Sequence, residues 1–111
     1  MQQKPTYGQV WDTGELAAAY PDGYNEFLRI PAMSMGIYKL PAGSVDGQQP
    51  HREDEAYYVL SGRAKIEIED EVYPALPGAL IFVAAKARHR FIEIEEDLTL
   101  VVFFAPAESA G

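Results

Sequence analysis

Ala64-Lys65-Ile66-Glu67-Ile68-Glu69 alternates apolar and charged residues without a break. Side chains on a strand point to opposite faces in turn, so this period of two predicts a half-buried β-strand. Ala64, Ile66 and Ile68 would face a core, and Lys65, Glu67 and Glu69 would face water. Working outward, similar runs occur at Met33 to Leu40, Ala56 to Leu60, Ala79 to Val83, Arg88 to Ile94 and Leu98 to Phe104. Turn residues separate them: Pro41-Ala42-Gly43, Ser61-Gly62, Pro77-Gly78 and the acidic Glu95-Glu96-Asp97. Many short strands at this spacing predict an all-β chain built as an antiparallel sandwich or barrel.

Helix is confined to the front of the chain. Asp12 can serve as an N-cap, with Glu15 three residues on to return the hydrogen bond, and Trp11 and Leu16 placed for a hydrophobic staple. Ala17 to Ala19 extend that turn and Pro21-Asp22-Gly23 ends it, so one short N-terminal helix or turn is expected. No internal repeat and no linker divides the 111 residues, which are expected to form a single domain. Within it, residues 1–31 would be an extension packed on the barrel and residues 32–106 the barrel core. Leu98 to Phe104 is apolar on both faces, although a small barrel has only one interior. The N-terminal segment around Trp11, Leu16 and Phe27 could cover the second face, or a second copy of the chain could. A homodimer is the expectation.

The formal net charge of −8 and the pI near 4.6 make a surface that repels phosphate backbones and anionic lipid. Neither nucleic acid nor membrane is expected as a partner. Without cysteine, disulfides and thiolate zinc sites are excluded. The start, MQQKPTYGQV, has no apolar signal core, and the uncharged run Ala75 to Ala85 is too short to span a bilayer. A cytoplasmic protein is expected.

The residues that carry chemistry fall at fixed gaps. Gly43, Gln49, His51, Glu55 and Gly62 form one set; Gly78, Ala84, Lys86 and His89 form another. On a strand, Gln49 and His51 would project from one face, with Glu55 opening the next strand and Gly62 making its hairpin turn. His89 heads a later strand. If that strand lies across the barrel mouth, two imidazoles, one carboxylate and one amide oxygen converge. Two histidines and a carboxylate with open positions opposite suit Fe(II), and equally Zn(II) or Mn(II). The chain has only two histidines, and both fall on these positions. Tyr57 and Phe91 share faces with the proposed ligands and read as core. Arg63, Arg88 and Arg90 could clamp an anionic substrate, but Arg88 and Arg90 should point away from His89 and read as surface charges; Glu93 reads as lying near the far rim.

This pair of motifs resembles the two signatures of the cupin superfamily, small type-2 members in particular, from about Ala32 to Pro106. The resemblance implies a double-stranded β-helix, or jelly-roll barrel. Its first motif supplies two histidines and a glutamate, here Gln49, His51 and Glu55, and its second supplies His89. One expected histidine is thus replaced by Gln49, a weaker ligand. Ala84 and Lys86 stand where the second motif usually has proline and glycine. The resemblance also implies one divalent first-row transition metal (Fe, Mn, Zn, Ni or Cu) held by Gln49, His51, Glu55 and His89. The chain would be a dioxygenase, isomerase or lyase acting on a small oxygen-rich molecule, with Glu55 as catalytic base if released from the metal. The other expectation is a cupin that binds a small molecule and catalyses nothing.

Overall fold

The computed structural model describes residues 7–109; residues 1–6 of the expected N-terminal extension lie outside them. One helix, α1 (Thr13–Ala19), opens the described chain. Its N-cap is Asp12, whose side chain accepts a hydrogen bond from Glu15 N. Six strands follow: β1 (Gly23–Ile30), β2 (Met33–Leu40), β3 (Asp54–Ile68), β4 (Glu71–Ala75), β5 (Leu80–Val83) and β6 (His89–Ala105). All pairings are antiparallel, in the order β1-β2-β6-β3-β4, with β5 also on β3. The sheet therefore begins at Gly23, inside the stretch read as an extension.

Two strands are much longer than the alternation suggests. The runs Ala56 to Leu60 and Ala64 to Ile68 lie in the two halves of β3, Glu69 already turning at a φ of 51°, and the runs on either side of Glu95-Glu96-Asp97 lie in the two halves of β6. Gly62 is accordingly not a hairpin turn. It sits at φ 99° where the β3–β6 register slips between Ser61↔Thr99 and Arg63↔Glu96. A Cβ there would collide with the Asp97 carbonyl, so glycine lets the two backbones press together at a bulge. Opposite it, Glu93 takes a left-handed φ of 49°, and the register slips again between Arg63 and Lys65. The bulges bend both strands, so that the two ends of the one six-stranded sheet fold over a common core. The first half of β3 pairs with β5 and the last part of β6, which continues to β2 and β1. The second half of β3 pairs with β4 and the first part of β6. β4 carries Pro74, tolerated because that strand has a neighbour on one side only.

The bulge at Glu93 also changes which side chains point inward. His89 and Phe91 are buried before it, Ile94, Leu98, Leu100, Val102 and Phe104 after it, and Glu93 itself is exposed and paired with Lys65. Phe91, Ile94, Leu98, Leu100, Val102 and Phe104 join Tyr57, Val59, Ile66 and Val83 in the main core. The second apolar face of β6 has its own cluster. Val101 packs with Phe27, Leu28 and Ile37, and Trp11, Leu16 and Tyr20 lie against them. Trp11 meets Phe27 edge to face at 5.0 Å. The N-terminal segment thus covers part of that face. No helix among the described residues is long and apolar enough to cross a membrane.

Candidate metal centre

Three elements bring His51, Glu55 and His89 together. His51 lies in the irregular segment before β3, Glu55 is the second residue of β3, and His89 is the first of β6. The turn before His89 is fastened to the His51 segment by backbone. Lys86 N donates to the His51 carbonyl at 2.6 Å, and Ala85 N donates to the Asp54 carboxylate at 2.9 Å. Lys86 pays for this with a left-handed φ of 69°, a conformation glycine adopts freely. Lys86→Gly is expected to leave the site intact and hold or raise the melting temperature by a few degrees, about 1 kcal/mol at most, measured by thermal denaturation.

One donor atom from each of the three residues lies within 4.8 Å of the others. Bonds of about 2.0–2.2 Å to a common ion would separate its donors by roughly 3–4 Å. His89 Nδ1 donates to the Ala87 carbonyl at 2.9 Å, which leaves Nε2 to face Glu55 Oε1 at 3.0 Å. Those two atoms are close but not aligned as a hydrogen bond. His89 Nε2 and both Glu55 oxygens are buried without a hydrogen-bond partner. Burial pushes the His89 imidazole down, but Glu55 and the Ala87 carbonyl more than offset it, so its pKa is raised. A buried carboxylate whose oxygens accept no hydrogen bond is costly unless a cation meets it, a protonated His89 or a metal ion. Two imidazoles and a carboxylate are a donor set that a divalent first-row metal would satisfy, and so the residues fit such an ion.

The amide nearest the cluster is that of Gln48. Gln49 is exposed, on the rim of an outer cleft, whereas Gln48 Oε1 stands 3.2 Å from His51 Nε2 and accepts a hydrogen bond from the Tyr57 hydroxyl at 3.0 Å. The expectation for Gln49 assumes a strand, on which residues two apart share a face. No strand is present there, so that alternation does not apply. Gln48 is aimed by Asp46, a buried carboxylate that accepts from Gln48 Nε2 at 2.8 Å, from Phe91 N at 2.8 Å and from the Tyr38 hydroxyl at 2.7 Å. Tyr57 is more than core. It is fully buried and its hydroxyl reaches this group, with its pKa raised well above the ordinary value by burial first and by Glu55 second. If the amide bears on the centre, Gln48→Ala should weaken metal binding about tenfold or more, and Gln49→Ala should leave it unchanged, both read by Zn(II) titration.

Two cavities flank the centre, and Gln48 lines both. An inner one of about 120 Å³ is lined by Tyr24, Tyr38, His51, Glu55, Phe104 and Glu108 among others. The Tyr24 hydroxyl is buried there without a hydrogen-bond partner, and its ring lies where a side chain on Gly36 would be. An outer cleft of about 450 Å³ runs past His89, Gln49 and Pro50. Arg88 and Arg90 on its wall are exposed and paired with Glu69 and Glu67, and Arg63 is paired with Glu95, in keeping with surface charges. Asp46, Gln48, Tyr24, Tyr38 and Glu108 all escaped sequence reading. None lies at a motif gap, although the buried Asp46 falls only three residues after Gly43.

A double-stranded β-helix with a histidine–carboxylate cluster at its mouth defines the class of protein. The model of the cupin domain, type Cupin_2, matches residues 36–105, and the chain belongs to that family. It is 45% identical over 99 residues to the uncharacterized protein SCO3923 of Streptomyces coelicolor, covering 88% of this chain and 94% of that one. The crystal structure of TT1209 from Thermus thermophilus is similar at 26% identity, with a TM-score of 0.71 over 88% of this chain and 97% of the other. BH2720 from Bacillus halodurans shares the fold alone, at 13% identity and a TM-score of 0.81 over 92% of this chain and 83% of the other.

Proposed function

We propose that this cupin is a metal-dependent enzyme of the dioxygenase, isomerase or lyase type, acting on a small oxygen-rich organic molecule. The observation that carries the reading is a trio of atoms beside His51: His89 Nε2 and Glu55 Oε1, 3.0 Å apart, and Glu55 Oε2, all buried without a hydrogen-bond partner. His51, Glu55 and His89 would hold one divalent first-row metal, with a glutamine amide beside them. When bound, that ion would act as a Lewis acid or, if iron, activate dioxygen. The chain's own residues would do the rest. The inner cavity of about 120 Å³ and the outer cleft of about 450 Å³ both reach the centre, the first past His51 and Glu55 and the second past His89. Tyr24 offers a buried hydroxyl to a substrate oxygen, and Val102 and Phe104 exclude water on the apolar side. Glu55, if released by the metal, is placed to take a proton. The test is a screen of small hydroxy- and keto-compounds with protein loaded with Fe(II), Mn(II) or Zn(II), following substrate loss. Turnover that disappears in Glu55→Gln supports the enzyme; binding without turnover for every metal refutes it.

That second outcome would favour a cupin that binds a small molecule without catalysis. The cluster's having two imidazoles only and the unpartnered Tyr24 hydroxyl, which needs no metal to hold a ligand, support that alternative.

The same proposal takes the protein as cytoplasmic and as a homodimer. Leu80 and Phe82 on β5 are exposed at 77% and 66%, and an apolar hollow of about 260 Å³ lies between Trp11, Met35, Tyr58, Leu80 and Phe103. A second copy would cover this face. Sedimentation is expected to give twice the chain mass of 12.3 kDa, and Leu80→Glu with Phe82→Glu to give the monomer; a wild-type monomer at high concentration would refute the dimer.

A further inference from the structure

The segment that follows β6 is strapped across the site by its backbone. Ala107 N donates to the Pro31 carbonyl at 3.3 Å, Glu108 N to Ser34 Oγ at 2.9 Å, and Ser109 N to a Glu53 carboxylate oxygen at 3.0 Å. Arg29 Nη2 donates to the Glu108 carbonyl at 2.7 Å. Ser34 and Glu53 are buried polar residues inside the fold. Polar groups are rarely buried without a purpose, and here they receive main-chain donors of the strap. With its backbone held at both ends, Glu108 turns its side chain into the inner cavity, where Oε2 stands 3.6 Å from His51 Nδ1.

The two histidines of the centre are secured differently. His89 opens a strand, and the carbonyl of Ala87 fixes its ring through Nδ1. His51 belongs to no strand and is part exposed, so its ring direction needs a holder from elsewhere. Its Nε2 edge faces Gln48 Oε1, which also takes the hydrogen bond of Tyr57, a neighbour of Glu55. Gln48 Oε1 can only accept, so without an ion the His51 ring proton sits on Nε2 toward it, and Nδ1 is the edge turned to Glu108. Glu108 is not among the three residues whose donors lie within 4.8 Å of one another. It lines the inner cavity with Glu55, on the Nδ1 side of His51.

We infer that Glu108 is a positioning residue of the loaded site: when an ion takes the Nε2 lone pair the ring proton moves to Nδ1, and the Glu108 carboxylate, 3.6 Å away, closes on it and holds the ring's aim. A carboxylate behind a ligating imidazole fixes the tautomer and orients the ring. This role rests on the metal reading under Proposed function. It adds that the site is complete only with the strap docked, and the strap supplies a residue distant in sequence from both motifs.

Because the strap is docked through backbone atoms, Glu108 can be replaced without undoing it. The experiment compares Zn(II) dissociation constants of the wild type, Glu108→Ala and Glu108→Gln by competition with a chromogenic chelator. Imidazole 15N spectra of the zinc-loaded proteins are recorded alongside; with two histidines in the chain, each ring is assignable. Glu108→Ala is expected to bind zinc about 10–100-fold more weakly and to lose the protected Nδ1–H signal of His51. Glu108→Gln, whose amide oxygen still accepts from Nδ1–H, should recover most of both. A Glu108→Ala protein that binds zinc like the wild type would overturn the inference and leave the metal reading standing. So would weaker binding with the His51 Nδ1–H signal unchanged, since that is a packing effect. A wild type that takes up no zinc, manganese or iron would bring down the metal reading first, and the role of Glu108 with it.

Discussion

His89→Ala is expected to leave purification free of metal and to take up none on titration, while keeping the wild-type fold. The side chain contributes Nε2 at the point where Glu55 Oε1 stands 3.0 Å away, and neither atom has another partner. Removing it leaves one imidazole and one carboxylate as strong donors. Loss of an outer-shell partner alone weakens metal sites about 10–100-fold, and loss of a ligand costs more. His51→Ala should behave alike from the other side of the ion. The fold should survive both changes, because the segments are held by backbone bonds such as Lys86 N to the His51 carbonyl, which alanine preserves. Circular dichroism with inductively coupled plasma mass spectrometry checks both halves. Stoichiometric metal in both variants would mean that the ion sits elsewhere.

Gly62→Ala should be the most damaging single methyl in the chain. At φ 99° an L-residue is strained, and the added carbon would meet the backbone of Asp97 and Leu98 rather than a movable side chain. The crossing of β3 and β6 that it would force apart is the fold's most extensive pairing and carries both the Glu55 and the His89 ends of the site. A loss of about 3 kcal/mol or more is expected, seen as a melting temperature lower by about 10 °C or more. A hairpin turn at Gly62 would have tolerated asparagine or aspartate with little loss. In this bulge Gly62→Asn should be as harmful as Gly62→Ala, so the pair of variants distinguishes the two placements by denaturation alone.

Much of the architecture is visible in alternation. Ala64 to Glu69 reports its half-buried strand correctly because its neighbours are regular on both sides, and Asp12 with Glu15 marks the one helix. What alternation cannot report is whether two strand-like runs are joined. Ser61-Gly62 and Glu95-Glu96-Asp97 have the composition of turns, yet each lies within a strand. A bulge and a turn draw on the same residue types, and only the partner strand decides between them. The same limit applies to the site. His51, Glu55 and His89 stand out because their gaps are fixed by the barrel's strand ends. Gln48 does not, since the loop before β3 has no period from which to read a direction. Glu108 and Asp46 are further still from legibility: a strap and a buried loop carboxylate reach the centre through tertiary contacts that leave no spacing in the chain.

The measurement that bears most directly on the metal centre is the metal content of untagged wild-type protein, purified without chelators, by elemental mass spectrometry. About one equivalent of a divalent first-row metal per chain is expected, retained through gel filtration. No metal as purified, and none taken up from Fe(II), Mn(II), Zn(II), Ni(II) or Cu(II), would contradict the site and leave His51, Glu55 and His89 as a buried polar cluster in a ligand-binding barrel.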